Sequence, residues 1–272
     1  MSVTMDYCST KPVELVVSTK SKKDVFVSIF SLLKSSSSSV HLTLNETCFH
    51  VQGMDKSHVC LFELNLKADW FDYYKVDKSY LLCFDTSVFC SIISTKSEDQ
   101  WLSFHLEEDT PDLLWIELKT MDGVKKADYN KFFKLPLMDY DYDEMSIPAC
   151  EYDAEFTLPA KKVTDMLSQL ANFGDDINIQ CKEDCVDFKA SGNSVEMRVH
   201  VGIDDMTSYA VVEDEVVNLS YSLVYVSKMC ITNKLTPDIA FHLNSNTPMK
   251  VLYDLGNDSH LVFYIAPKMT ED

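Results

Sequence analysis

The chain has 272 residues, 46% of them hydrophobic and 25% charged, with a formal net charge of −19; that length suits two domains of roughly 100–150 residues, and the composition excludes a disordered or fibrous protein. No stretch reaches the roughly 18 uninterrupted apolar residues of a membrane-spanning helix, and the start at Met1 lacks a basic-then-apolar signal pattern, so an intracellular chain with no membrane partner is expected. The surplus of acid opposes any tight grip on nucleic acid, and a single arginine, Arg198, nearly excludes bidentate reading of guanine.

Residues 25–33 carry apolar side chains at helical spacing and predict an amphipathic helix. The serine run at 35–39 reads as a flexible loop behind it. Residues 45–51 form a polar turn leading into an alternating strand, 59–66 a strand, 86–94 a second short helix, and 102–106 and 114–118 two more strands. Then the pattern breaks: four acids in six residues from Asp139 to Glu144, followed by Pro148, predict an extended surface connector. Beyond it the series starts again, with a helix at 162–170, a turn and strand at 182–188, a strand at 196–203, a helix at 223–231, and strands at 239–243 and 251–255. Every one of these lies 137 positions after its counterpart, so the chain is a tandem duplication. The expected fold class is α+β, two strand-rich units with two short helices each: an N-terminal domain at 1–136, a connector at 137–152 and a C-terminal domain at 153–272.

Nine scattered cysteines, an odd number, read as reduced thiols packed as small hydrophobes. Cys181 and Cys185 have the spacing of half a zinc site, but no second pair stands at a matching interval, and no metal is expected. With six glycines and no G-x-S-x-G, H-E-x-x-H or paired C-x-x-C, neither an enzyme nor a cofactor is expected. Asp139, Asp141 and Asp143 read as solvated acids rather than a magnesium cluster.

Three separated motifs carry a family resemblance: Met54-Asp55-Lys56-Ser57-His58-Val59, the connector from Met138-Asp139 through Ile147-Pro148 to Glu151-Tyr152, and the ending from His260-Leu261 through Ala266-Pro267-Lys268. In order and spacing they resemble the proliferating cell nuclear antigen family of DNA sliding clamps. The resemblance implies a homotrimeric ring, helices inside and sheets outside, that encircles double-stranded DNA without regard to sequence. It also implies tethering of DNA polymerase, clamp loader, ligase and nucleases through glutamine-led peptides that end in aromatics. The expected place of work is the nucleus, or the replication site of a large DNA virus.

Carried over position by position, the peptide pocket would comprise Met54, His58, Val59 and Leu61, then Met145, Ile147, Pro148 and Tyr152, then Pro248, Tyr264, Ile265, Ala266 and Pro267. Subunits would meet through Phe133, Leu135 and Leu137 on one side and Val195, Met197 and Val199 on the other. DNA would be faced by Lys20, Lys22, Lys23, Lys34, Lys96, Lys161, Lys162, Lys228 and Lys234. These nine lysines share the helical segments and their flanks with only Asp24 and Asp165, a net +7 that leaves −26 for the rest of the chain. A positive lining on an acidic body suits a ring that tracks phosphates. The alternative is a clamp-fold scaffold, monomeric or dimeric, that does not encircle DNA, because Pro136 removes a ladder donor from an interface strand and the loop at 191–194 is short.

Overall fold

The computed structural model describes residues 11–121, 123, 128–139, 145–147, 150–192, 194–213 and 216–268. The first half runs β1 (Val13–Val17), α1 (Lys20–Ser36), β2 (Ser39–Leu44), β3 (Cys48–Met54), β4 (Cys60–Lys67), β5 (Tyr73–Val76), β6 (Tyr80–Asp85), α2 (Thr86–Ser94), β7 (Gln100–Leu106), β8 (Leu113–Thr120) and β9 (Lys131–Pro136). The second half repeats that order as β10 (Ala154–Pro159), α3 (Ala160–Leu170), β11 (Asp176–Lys182), β12 (Cys185–Ser191), β13 (Glu196–Gly202), β14 (Ser208–Val211), β15 (Val217–Ser222), α4 (Leu223–Met229), β16 (Asp238–Leu243), β17 (Met249–Gly256) and β18 (Ser259–Ile265). A short 3₁₀ turn follows β4 and its counterpart β13 alike.

The sheets repeat as well. Five strands in the order β5-β1-β7-β8-β9 recur as β14-β10-β16-β17-β18, and the four of β4-β3-β2-β6 recur as β13-β12-β11-β15. The second five and the first four merge into one nine-stranded sheet, because β18 pairs antiparallel with β4. On the other side β9 and β13, the counterparts of β18 and β4, are free sheet edges among the described residues.

Strand alternation sets the core: along β4 every second residue, from Cys60 to Leu66, is buried, as is every second residue of β2 and β11. Helix α1 covers the first half with Phe26, Ile29, Phe30 and Leu33 at helical spacing, all 0% exposed. There the core is aromatic: Phe30 meets Phe89 at 4.6 Å and Phe26 meets Phe104 at 5.4 Å between ring centroids. The second half fills the corresponding places of Phe26, Phe30 and Phe89 with the smaller Val163, Leu167 and Val226, also buried. One backbone plan therefore accepts two packings of similar closure.

Two expectations need correction. Helix α1 is longer than the periodicity indicated, because Asp72 receives the amides of Ser18 at 2.6 Å and Thr19 at 2.8 Å and fixes the chain entering it. The serine run is not a loop: Ser35 and Ser36 belong to the last turn of α1, Ser37 turns extended, and Ser39 opens β2 opposite Asp85. Serine in a helix end back-bonds to the preceding turn, as Ser35 does to the Leu32 carbonyl at 2.7 Å, so low complexity here hides regular structure.

Candidate functional site

The MDKSHV loop links β3 to β4 and is built around one carboxylate. Asp55 accepts at Oδ1 from the amides of Val59 (2.8 Å) and Cys60 (2.6 Å), and at Oδ2 from the Ser57 amide (2.9 Å) and the Tyr225 hydroxyl (3.0 Å). Burial alone would raise its pKa, but these four donors outweigh that and hold it below the usual carboxylate range. His58 adopts φ = 57°, the left-handed turn that brings the chain back into β4, and its Nδ1 lies 3.0 Å from Met54 Sδ.

Beside this loop lies a groove of about 850 Å³, walled by β3, β4, the connector and the end of β18. It collects ten of the sequence-predicted residues: Met54, His58, Val59, Leu61, Met145, Ile147, Tyr152, Pro248, Tyr264 and Ala266. Ile265 does not join them. It is 0% exposed, pairs with Cys60 and points into the core, because neighbouring residues of a strand face opposite ways and Tyr264 faces the groove. Pro267 is described but does not line the groove, and Pro148 lies outside the described residues.

The groove also holds polar residues that the sequence motifs passed over: Gln52, Glu63, Ser146, Cys150, Thr247 and Lys250. Gln52 is only 3% exposed and holds the connector by both ends of its amide, Nε2 donating to the Met145 carbonyl (2.9 Å) and Oε1 accepting from the Met145 N–H (2.8 Å). Strand period would have found Gln52 and Glu63, since Gln52 stands two positions before Met54 and Glu63 two after Leu61 on the same sheet face. Glu63 pairs with His50 Nε2 at 3.0 Å, and that hydrogen bond, stronger than the opposing effect of burial, lowers its pKa.

The nine lysines divide into three kinds. Lys23 is corrected outright: it is 0% exposed, its ammonium donates to the Glu98 carbonyl at 2.7 Å and to that of Gln100, and burial lowers its pKa, so it supports the fold and cannot reach a phosphate. Lys20, Lys22, Lys96 and Lys162 are surface groups paired with Glu98 (2.8 Å), Asp72 (3.3 Å), Asp24 (2.7 Å) and Asp205 (3.2 Å). Lys34, Lys161, Lys228 and Lys234 have no ion-pair partner among the described residues.

On the free edges, Phe133, Leu137, Met197 and Val199 are partly buried, Val195 is exposed in the turn before β13, and Leu135 is already part of its own core. Behind β13, the fully buried Asp187 takes Arg198 Nη2 (2.6 Å), His200 Nδ1 (2.9 Å) and Lys182 Nζ (3.3 Å). Burial opposes the charge, and the three donors outweigh it, which keeps Asp187 ionised far below the ordinary carboxylate range. Cys185, Asp187 and His200 have ligand atoms within 4.8 Å of one another, yet the carboxylate is already neutralised by Arg198 and Lys182, an arrangement hostile to a metal cation. Cys181 pairs across the ladder with Val186 and Cys185 with Lys182, so the two thiols point to opposite sheet faces and cannot share a metal.

Comparison with known proteins agrees with this architecture. Residues 18–144 match the family model described as the N-terminal domain of proliferating cell nuclear antigen, and residues 146–268 match the one described as its C-terminal domain. A proliferating cell nuclear antigen of Chaetomium thermophilum is 29% identical over 233 residues, which cover 84% of this chain and 88% of the relative. Proliferating cell nuclear antigen 2 of Plasmodium falciparum is 25% identical over 252 residues, 90% of this chain and 95% of the relative. The duplicated fold, the connector groove and both domain matches place the chain in the proliferating cell nuclear antigen family of non-enzymatic DNA sliding clamps.

Proposed function

We propose that three copies of this chain close head to tail into a ring that encircles duplex DNA and tethers replication and repair proteins, working in the nucleus or, for a viral source, at the virus's replication site. The observation that carries this is the pairing of β18 with β4, because the chain repeats both partners as the free edges β9 and β13. A heterologous contact that repeats a contact already made inside the chain builds a ring when the rotation between successive units closes, and three two-domain chains would supply six such units. Transferring the internal register by the 137-residue repeat sets Phe133 opposite Val201, Leu135 opposite Val199 and Leu137 opposite Met197 of the next subunit. Residues 1–136 and 153–272 act as the two clamp domains, and 137–152 as the connector over the groove. Polymerase, clamp loader, ligase and nucleases dock there through glutamine-led peptides whose aromatic pair fills the apolar walls, with affinity about micromolar after the cost of ordering the peptide.

One observation favours the second reading, a scaffold that does not close. The Leu137 N–H turns inward to Asp112 O at 2.8 Å, so Pro136, the alternate residue, aims its nitrogen at the open edge with no hydrogen to give. The edge keeps the backbone groups of Lys134 and Phe132, and the ring reading requires that these suffice. Retention on DNA tests it: loaded by a eukaryotic clamp loader with ATP, a ring stays on nicked circular duplex and slides off once the circle is cut. A protein released equally from circular and linear duplex is the non-encircling scaffold.

A further inference from the structure

Between the two halves, on the far side of the MDKSHV loop from the peptide groove, lies a second concavity of about 380 Å³ whose lining is polar. Lys34 reaches it from the last turn of α1, Lys56 from the loop, and Lys228 from α4. We infer that Lys34, Lys56 and Lys228, with the hydroxyls of Ser38, Ser57 and Ser87, form a cradle for a DNA backbone phosphate and are the principal DNA contact of this chain. The inference rests on the DNA-encircling reading above and sharpens it to one place.

The argument is electrostatic. In a chain with 43 acidic and 24 basic residues, a surface lysine readily finds a carboxylate, and four of the nine lysines read from the sequence as DNA-facing have done so. Such a lysine brings little net field to a phosphate, because its own acid stands beside it. Lys34, Lys56 and Lys228 instead surround one hollow without an ion-pair partner among the described residues, an arrangement in which like charges repel until an anion bridges them. The one acid lining the hollow, Asp55, is 6% exposed and already takes four hydrogen bonds, three of them from backbone amides, so it is not a counter-ion waiting for these lysines.

The hydroxyls complete the site. Ser38 and Ser57 are exposed, Ser87 is half-buried, and none of the three hydroxyls is used in a hydrogen bond among the described residues, whereas Ser35, Ser36 and Ser37 donate theirs to neighbouring carbonyls. Three ammonium groups and free hydroxyl donors around a hollow of this size match the oxygens of a phosphodiester, and the one ring in the lining, Tyr225, is half-buried with its hydroxyl committed to Asp55. The contact is therefore blind to sequence. The serine run, which composition alone reads as a loop, supplies one of the hydroxyls and shapes the hollow's wall.

Binding of a fluorescent duplex of about 30 base pairs, followed by anisotropy between about 50 and 200 mM salt, separates this site from a diffuse lining. The variant K34Q/K56Q/K228Q should bind at least about tenfold more weakly at low salt, and its salt slope should fall by about 1 for each cradle engaged on the duplex, the loss of one neutralised phosphate per cradle. The variant K20Q/K22Q/K96Q removes the same charge from lysines that already have acids and should change affinity by less than about twofold. Lys56→Gln alone, at an exposed loop position, should still weaken binding about threefold. Equal weakening in the two triple variants would overturn the cradle and leave the DNA reading standing. A wild-type protein that ignores duplex DNA at every salt concentration would also overturn the cradle, while the ring would still stand or fall on retention by circular duplex.

Discussion

At the junction of β18 with β4, Phe62, Leu64 and Leu261 are 0% exposed, while Val199, Val201 and Phe133, which occupy the corresponding places on the free edges β13 and β9, remain partly exposed. The helices repeat the contrast. Met229 of α4 and Ile29 of α1 are fully buried where the halves meet, and their counterparts Ile92 of α2 and Met166 of α3 are not. A chain that keeps apolar side chains at all of these positions keeps a junction half-built, and burying such a surface against a second copy is the ordinary way to complete it. In the ring proposed above, the made junction serves as the template for the unmade one, down to the register of the strands.

Substitution at matched positions breaks the comparison if it is wrong. Phe62→Ala should cost the folded chain about 3–5 kcal/mol in denaturant unfolding, because it opens a cavity inside one protein. Val199→Ala, at the matching place on the open edge, should cost the isolated chain about 1 kcal/mol or less and show itself as dissociation of the oligomer. If both destabilise the chain equally and neither alters its mass, the two junctions are not equivalent.

The groove proposed to take peptides lies on the made junction, so its chemistry can be tested without a ring. Ile147→Asp should abolish binding of a glutamine-led, two-aromatic peptide in calorimetry, a loss of about 2 kcal/mol or more, since an unpaired charge would face buried rings. Gln52→Ala should weaken it by about 1 kcal/mol through loss of the two hydrogen bonds that hold Met145. Peptide affinity indifferent to both would move the site elsewhere.

Acid provides a finer probe. The folded pKa of Asp55 is depressed, so its hydrogen bonds stabilise the fold at pH values above the ordinary carboxylate pKa of about 3.9, and that contribution is lost as pH falls through the lower folded value. Unfolding free energy should therefore fall with pH below about 4, and Asp55→Asn should flatten part of that slope. A slope unchanged in the variant would show that Asp55 does not tie the halves together through Tyr225. The smallest effect is expected at Lys20→Gln, whose denaturant midpoint should match the wild type, because its partner Glu98 and the lysine itself are both well exposed.

Much of this was legible in the sequence because a fixed 137-residue offset survives divergence of the side chains. Helix α2 was placed from residue 86 to 94 as observed, and Asp85 explains the sharp start, accepting the Val88 amide at 2.8 Å. The Lys23 failure depended on atoms far away in the chain. Lys23 looks like any surface lysine until the carbonyls of Glu98 and Gln100, more than seventy residues on, are folded over it. Ile265 was carried into the groove with its motif, although alternation with Tyr264 sends it inward. Gln52 lies outside the apolar family motif, and its two bonds cross to a connector that sequence shows only as polar and extended.

The mass of the protein in solution tests the central claim most directly. Multi-angle light scattering at micromolar concentration should return three times the 31.1 kDa chain mass, and should return the single-chain mass for Phe133→Asp with its folded signal intact. A wild-type mass of one chain at every accessible concentration would contradict the account, leaving β9 and β13 as edges that the protein keeps open.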